Sequence, residues 1–364
     1  MFVQRVVMPV TEAESWTVLG GDGTVVAPVE SFLAYLTALE RSPNTVRAYA
    51  VSLKFWFEFL ERARTGWADA GVEDVARFVS WLRAPAENVI VLETGTGRRS
   101  AATVNRHLAA LFGFYDHHAR AGVSLAADLV AWRHVGRGSY KPFMHHVTKG
   151  RPIPTRPVKL TVIRRSPCTL DAKQVVAILA ACEHLRDRFL FALWAETGMR
   201  VGQALGLRHA DFVSRKREIR IVARPDNANG ARAKLRAEAT IPMSTPLVRL
   251  YSDYMHDEYG ELDSDYVFVN LWAGRIGRPL CYPTVHQLVA RIRAGTGIDF
   301  TAHMLRHTHA TDLIRRGVPI EIVARLLTHR SSTTTSQTHI HLDAVDVREA
   351  LTRAGVWDEI GDTP

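Results

Sequence analysis

Between residues 136 and 165 the chain carries eight Lys or Arg and no Asp or Glu, and Gly136, Gly138, Pro142, Gly150, Pro152, Pro154 and Pro157 recur through it. Proline removes a backbone donor and glycine weakens any helix, so this stretch interrupts regular structure and divides the chain in two. The parts on either side are close to neutral: residues 1–135 hold 13 basic against 14 acidic side chains, and residues 166–364 hold 25 against 23. Nearly all of the net charge of +9 therefore sits in one short strip. A polyanion laid across the junction would suit it, because each neutralised charge releases a counterion; a solvated flexible linker is the plainer alternative. With 364 residues, 47% of them hydrophobic, each side can bury a core of its own. The expected organisation is an extension over 1–24, a helical domain over 25–135, the basic linker over 136–167, a mixed domain over 168–342, and a terminal helix and tail over 343–364.

Several classes are disfavoured. The start, MFVQRVVMPV, lacks the long apolar stretch of a secretory leader, and no run of about 18 apolar residues occurs, so a cytoplasmic protein with no membrane partner is expected. Cys168, Cys182 and Cys281 lie far apart, with neither a C-x-x-C pair nor matching histidine spacing, which argues against a disulfide framework or a zinc site.

In the first half, VESFLAYLTALE and NTVRAYAVSLKFWFEFLERA read as helices, with Ser42 and Asn44 both placed to cap the second. Val46, Tyr49, Leu53, Phe57 and Leu60 recur at helical spacing and are assigned to the core. VEDVARFVSWL and AATVNRHLAALFGFYDHHA repeat the pattern on either side of an exposed loop over 84–100. Arg47, Lys54, Arg98, Arg99, Arg106 and His107 form a cationic set that would face a nucleic acid or simply water. Arg137, Lys141, Lys149, Arg151, Arg156, Arg164 and Arg165 extend that set along the linker.

In the second half, LDAKQVVAILAACEHLRDRFLFALWAETG predicts two helices ending at Gly198, with Arg200 at the turn into VGQALGL. REIRIVA and RAEATIPM alternate like strands around the loop PDNANGARAK, and YVFVN either joins them or stands apart. From Tyr282 onward PTVHQLVARIRAGTG, HMLRHTHATDLIRRG and PIEIVARLLTH are helical, the last with Pro319 in its first turn. The segment DAVDVREALTRAGVWDEI predicts an amphipathic helix whose Val345, Val347, Leu351, Val356 and Trp357 need a surface, either on their own domain or on a second copy.

The chemistry concentrates in that half. His303 and Arg306 are three residues apart and share a helical face, while Arg200 arrives from another helix start. A guanidinium donates two parallel hydrogen bonds to phosphate oxygens and keeps its charge. Lys234, on the hairpin loop, can give a proton to a leaving oxygen if a cationic site lowers its pKa.

These boxes resemble the tyrosine recombinases, or phage integrase family, in a consistent order. ETGMRVGQALGLRHADF (196–212) is similar to the family's first-arginine box and implies a phosphate-binding role for Arg200. Lys234 stands eight residues before Pro242, where the family keeps its catalytic lysine. H-x-x-R is His303 to Arg306, L-L-T-H (326–329) resembles the family's L-L-G-H and nominates His329, and SPNTVRAY (42–49) is similar to its core-binding domain. The resemblance implies a mainly α fold with a small β-sheet, two domains closing as a C-shaped clamp on duplex DNA. It also implies strand exchange through a 3′-phosphotyrosyl intermediate and a Holliday junction, serving integration or transposition of a mobile element. No metal, nucleotide or other cofactor is implied. The implied partners are double-stranded DNA bearing recombination sites, further copies of the chain from dimer to tetramer, and accessory recombination proteins, with localisation at the nucleoid.

One position departs from the pattern. In SQTHIHL (336–342), His339 stands where the resemblance places the nucleophilic tyrosine, and no tyrosine follows Tyr282. A histidine would form a phosphoramidate and reaches less far than a phenol. A substitution that blocks cleavage, a naturally inactive homologue and a histidine nucleophile all remain open; cleavage deficiency is the expectation. Gln203, where the family commonly has Glu, removes a charge partner for Arg200. His307, His309 and His341 crowd the same region and are read first as packing or hydrogen-bonding residues. Two rivals remain: a non-catalytic DNA-binding or architectural protein, and a metal-dependent nuclease built on the His-Ile-His triplet 339–341.

Overall fold

The computed structural model describes residues 1–7, 14–84, 99–119, 123, 158–162, 168–233 and 238–328, together with the backbone of 131–133 and 153–155. The chain divides into two compact units, residues 1–164 and 165–364.

The first unit is a bundle of α1 (Ala27–Ala38), α2 (Pro43–Ala63), α3 (Val72–Arg83) and α4 (Ala101–Ala119). Ser42 caps α2, its hydroxyl accepting from the Thr45 N–H at 3.3 Å, while Asn44 falls inside the first turn and leaves the capping to Ser42. Val46, Leu53, Phe57 and Leu60 are buried as their spacing requires, and Tyr49 packs partly buried against the same core. Residues 1–24, expected as an extension, include an antiparallel hairpin of β1 (Phe2–Val7) and β2 (Glu14–Leu19), with Phe2 opposite Leu19. The hairpin belongs to the bundle, because its Val18 is fully buried in the same core as Val29, Leu33 and Leu53.

Aromatic rings fill the centre. The fully buried Trp56 donates its indole N–H to Tyr115 at 3.1 Å, and the Tyr115 hydroxyl donates to the Trp67 carbonyl at 2.7 Å, so both polar tips are satisfied. Part of the expected linker docks here as well. The Asn105 amide donates to the Leu160 carbonyl at 2.8 Å and accepts from the Leu160 N–H at 2.9 Å, and Ile153–Thr155 pairs antiparallel with Ala131–Arg133.

The second unit begins with α5 (Ala172–Ala180), capped by Asp171, and α6 (Leu185–Thr197), whose Phe189, Leu190, Leu193 and Trp194 are fully buried. After α7 (Val201–Leu205) comes an antiparallel sheet in the order β5 (Phe212–Val213), β6 (Glu218–Ile221), β7 (Ala239–Pro242). Ile219, Ile221 and Ile241 face the core while Arg220 and Thr240 point out, the alternation of a half-buried sheet. Residues 266–270 stand apart from that sheet, with single bridges from Tyr266 to Arg208 and from Val269 to Pro279.

A helix absent from the sequence reading, α8 (Thr245–Tyr254), continues into a π-helical turn over Met255–Tyr259. Its start is fixed by Ser244, which caps it and donates through N–H and hydroxyl to the two Glu196 carboxylate oxygens, each at 2.6 Å. Then follow α9 (Tyr282–Thr296), α10 (Ala302–Arg315), capped by Thr301, and α11 (Ile320–Leu326), with Pro319 at its N-cap.

Candidate active site

Helix α6 ends because Gly198 takes the left-handed conformation, φ 61°, where a side chain is strained. A Cβ there would also lie 2.7 Å from Leu327 and 2.8 Å from the His309 ring, so the chain turns only because nothing projects from this residue. Two residues on, Arg200 adopts an extended backbone and forms the N-cap of α7. Its N–H donates to the Gln203 side-chain oxygen at 2.7 Å, fixing the orientation of that buried amide. The NH₂ of Gln203 then donates to the Thr328 hydroxyl at 2.9 Å, and the Arg200 guanidinium donates to the same oxygen at 3.0 Å. Gln203, read as the loss of a charge partner, is thus a positioning contact for the Arg200 backbone.

Arg306 reaches this corner from α10. It is 1% exposed and donates to the Gly198 carbonyl at 2.5 Å and to the Leu327 carbonyl at 2.7 Å. One guanidinium therefore ties the turn before Arg200 to the end of α11, and the two arginines meet at adjacent residues, Leu327 and Thr328. Burial lowers the Arg200 pKa. Burial, then the charge of Arg200, brings Arg306 down to about 9. Arg200 makes no ion pair among the described residues, so its charge is not neutralised by a carboxylate there. A desolvated cation held by a neutral acceptor, as Arg200 is by Thr328, is poised to gain from an arriving anion.

The helical spacing of His303 and Arg306 has unequal consequences, since Arg306 is buried and His303 is exposed. His303 lines a cleft of about 350 Å³ together with Val201, Tyr282, His286, Arg293 and Thr301. Partial desolvation, then the charges of Arg306 and Arg200, lowers its pKa and favours the neutral ring. A neutral imidazole can accept or pass a proton. His307 packs edge-on against His303, with ring centroids 4.7 Å apart. His309 is pressed against Gly198, and burial pushes its pKa down to about 4, as suits a packing residue.

Lys234, His329, His339 and His341 lie outside the described residues, as does the terminal segment with Val345, Val347, Leu351, Val356 and Trp357. The loop leading to position 234 is described as far as Ala233, and it is closely seated. Asn229 donates to the Leu205 carbonyl at 2.9 Å and the Leu280 carbonyl at 2.7 Å, and accepts from the Ala231 N–H at 3.0 Å. A Cβ on Gly202 would lie 2.5 Å from the Arg232 carbonyl, and one on Gly206 would lie 3.0 Å from the Asn227 amide. The hairpin's route past α7 was not read from the sequence, although N-x-N in the loop and G-x-x-x-G in the helix were its signals.

Among the cations expected to face nucleic acid, Arg47 and Arg106 are exposed, Arg47 lying over the Trp16 ring at 4.8 Å. Lys54 pairs with Glu58 at 3.3 Å, and Arg99 donates to the Leu82 carbonyl at 3.2 Å while stacking on Phe55. His107 is corrected from surface to core: it is 3% exposed and hydrogen-bonds Ser52 at 3.0 Å. Burial, then Arg106 and Arg99, brings its pKa to about 4. Arg98, Arg137, Lys141, Lys149, Arg151, Arg156, Arg164 and Arg165 lie outside the described residues.

Comparison with known proteins agrees with this geometry. The model of the phage integrase family matches residues 169–345, and that of the phage integrase N-terminal SAM-like domain matches residues 29–122. Transposase A from transposon Tn554 of Staphylococcus aureus is 39% identical over 355 residues, 97% of this chain and 98% of that protein. Tyrosine recombinase XerD of Mycobacterium tuberculosis is 27% identical over 329 residues, 86% of this chain and 92% of that protein. Among solved structures, the Tn1549 transposon integrase in complex with transposon right end DNA matches with a TM-score of 0.61 at 14% identity, over 90% of this chain and 99% of that one. At that identity the likeness speaks for the fold.

Proposed function

The chain belongs to the phage integrase family of tyrosine recombinases, and on that premise we propose that it is the site-specific recombinase of a mobile element, acting on duplex DNA at element ends. The observation that carries this reading is the meeting of Arg200 and Arg306 at Leu327–Thr328, a corner where two guanidiniums donate to adjacent residues. A phosphodiester supplies the anion such a corner favours, and the negative charge that builds on its oxygens in a pentacovalent state strengthens the attraction.

In the reaction this family's name denotes, a tyrosine hydroxyl attacks phosphorus and loses its proton, while the bond from phosphorus to the 5′ oxygen breaks and that oxygen takes up a proton. Arg200 and Arg306 hold the non-bridging oxygens, His303 and His329 assist through hydrogen bonds and proton transfer, and Lys234 protonates the departing oxygen. The resulting 3′-phosphoprotein link stores the bond energy until a second 5′ hydroxyl reverses the step and passes the strands through a Holliday junction. With His339 at the nucleophile position, this form binds and clamps DNA without cutting it. Self-association on DNA and accessory proteins belong to the same reading, as does residence at the nucleoid.

A suicide DNA substrate, which traps the covalent stage, tests this. Adduct formed by His339→Tyr and not by the unsubstituted chain is the expected result. Adduct in both forms would make His339 itself a nucleophile, and adduct in neither would favour a protein that only binds DNA.

A further inference from the structure

Thr328 stands at φ 53° directly after the last turn of α11, and it is a β-branched residue in a backbone region that strongly favours glycine. Such a residue is strained and persists where its surroundings hold it. The surroundings here are two donors on one oxygen. The orientation of Gln203 is fixed because its carbonyl oxygen accepts from the Arg200 N–H, so its NH₂ must donate to Thr328. The Arg200 guanidinium donates to the same hydroxyl at 3.0 Å. Both acceptor positions of the hydroxyl are thereby filled, which fixes where it can direct its own proton. A glycine would relieve the backbone and lose both bonds, so the threonine is kept for its oxygen.

We infer that Thr328 is a positioning residue, whose hydroxyl, shared between Gln203 and Arg200, aims the Arg200 guanidinium at the scissile phosphate. This rests on the phosphate-binding role given to Arg200 above. Among the described residues the device works without a carboxylate: Thr328 and Gln203 are neutral, so their contacts hold Arg200 in place without neutralising its charge. The bonds form a closed ring through the Arg200 backbone, Gln203, Thr328 and the Arg200 side chain. Torsional freedom is therefore removed before DNA arrives, which is the pre-organisation that transition-state binding needs.

The test uses Thr328→Ser, which keeps the hydroxyl, Thr328→Val, which keeps the shape, and Thr328→Gly, which removes strain and hydroxyl together. In ¹H–¹⁵N spectra of the full chain, a slowly exchanging Arg200 side-chain signal, assigned by its loss in Arg200→Lys, should survive in Thr328→Ser and vanish in Thr328→Val and Thr328→Gly. Thr328→Gly should nonetheless melt no lower than the unsubstituted chain, which separates positioning from folding. In the His339→Tyr background, Thr328→Val should slow covalent adduct formation by about tenfold or more with DNA affinity nearly unchanged, and Thr328→Ser should restore most of the rate. An Arg200 signal that is unchanged in Thr328→Val, or missing in the unsubstituted chain, would overturn the inference, as would full adduct rate in Thr328→Val. Absence of adduct in every form would count against the recombinase reading, and the Arg200 signal would then decide the positioning claim alone.

Discussion

The N-terminal bundle and the arginine corner of the second unit both bury polar groups, yet they satisfy them in opposite ways. In the bundle, the Trp56 indole, the Tyr115 hydroxyl and the His107 ring find neutral partners inside an aromatic core. At the corner, the buried Arg306 is held by two backbone carbonyls, while Arg200 leans on a hydroxyl and the backbone turns through two left-handed residues, Gly198 and Thr328. The first arrangement leaves nothing for a ligand to improve. The second holds in Arg200 a cation whose best partner is an incoming anion, and that difference separates a scaffold from a site.

The largest effects should come from breaking each arrangement at its centre. Trp56→Ala should destabilise the bundle by about 4 kcal/mol through the cavity it leaves, measured by denaturant unfolding, with hydrogen exchange at the arginine corner unchanged. Arg306→Ala should cost a similar amount, roughly 4 kcal/mol, because the Gly198 and Leu327 carbonyls lose their donor; faster exchange confined to the second unit would check it. A cost below about 1 kcal/mol would mean that the corner is not stitched together by this residue.

Acidification probes both regions at once. His107 and His309 each have a folded pKa near 4, against an ordinary value of 6.5. Their contribution to stability is therefore complete above pH 6.5 and is lost as pH falls towards 4, since the unfolded chain binds the proton first. Each unit should lose up to about 3 kcal/mol across that window, seen as a falling melting temperature. His107→Phe should flatten the response of the bundle alone. Smaller still, Gly198→Ala should cost about 2 kcal/mol from its left-handed backbone and the contact with Leu327, measured by thermal unfolding.

The bundle was readable because helical period and apolar spacing coincide over long stretches, as in Val46, Leu53, Phe57 and Leu60. The hairpin over Phe2–Leu19 and helix α8 escaped, the first because β1 is mostly exposed and β2 buries only Thr17 and Val18, the second because its apolar face is brief and only Ser244 and Pro246 mark its start. At the site, motif spacing nominated Arg200, His303 and Arg306, and chemistry suggested what they would do. It did not reveal that Arg306 is buried and His303 exposed, since an i, i+3 pair shares a face without sharing a depth. Nor could it find Thr328, whose hydroxyl meets Arg200 and Gln203 from distant positions in the chain. His107 was misplaced because one histidine between an arginine and a leucine carries no sign of the Ser52 hydroxyl 55 positions earlier.

Gly202 on α7 and Gly206 at its C-cap sit about one turn apart, and the loop that leads to Lys234 passes over the space where their side chains would be. Neither residue has any chemistry, yet a saturation library at these two codons should return few viable clones, while exposed Ala228 between the asparagines tolerates many replacements. Relatives drifting apart would thus be free to rewrite much of the loop and obliged to keep its seat empty.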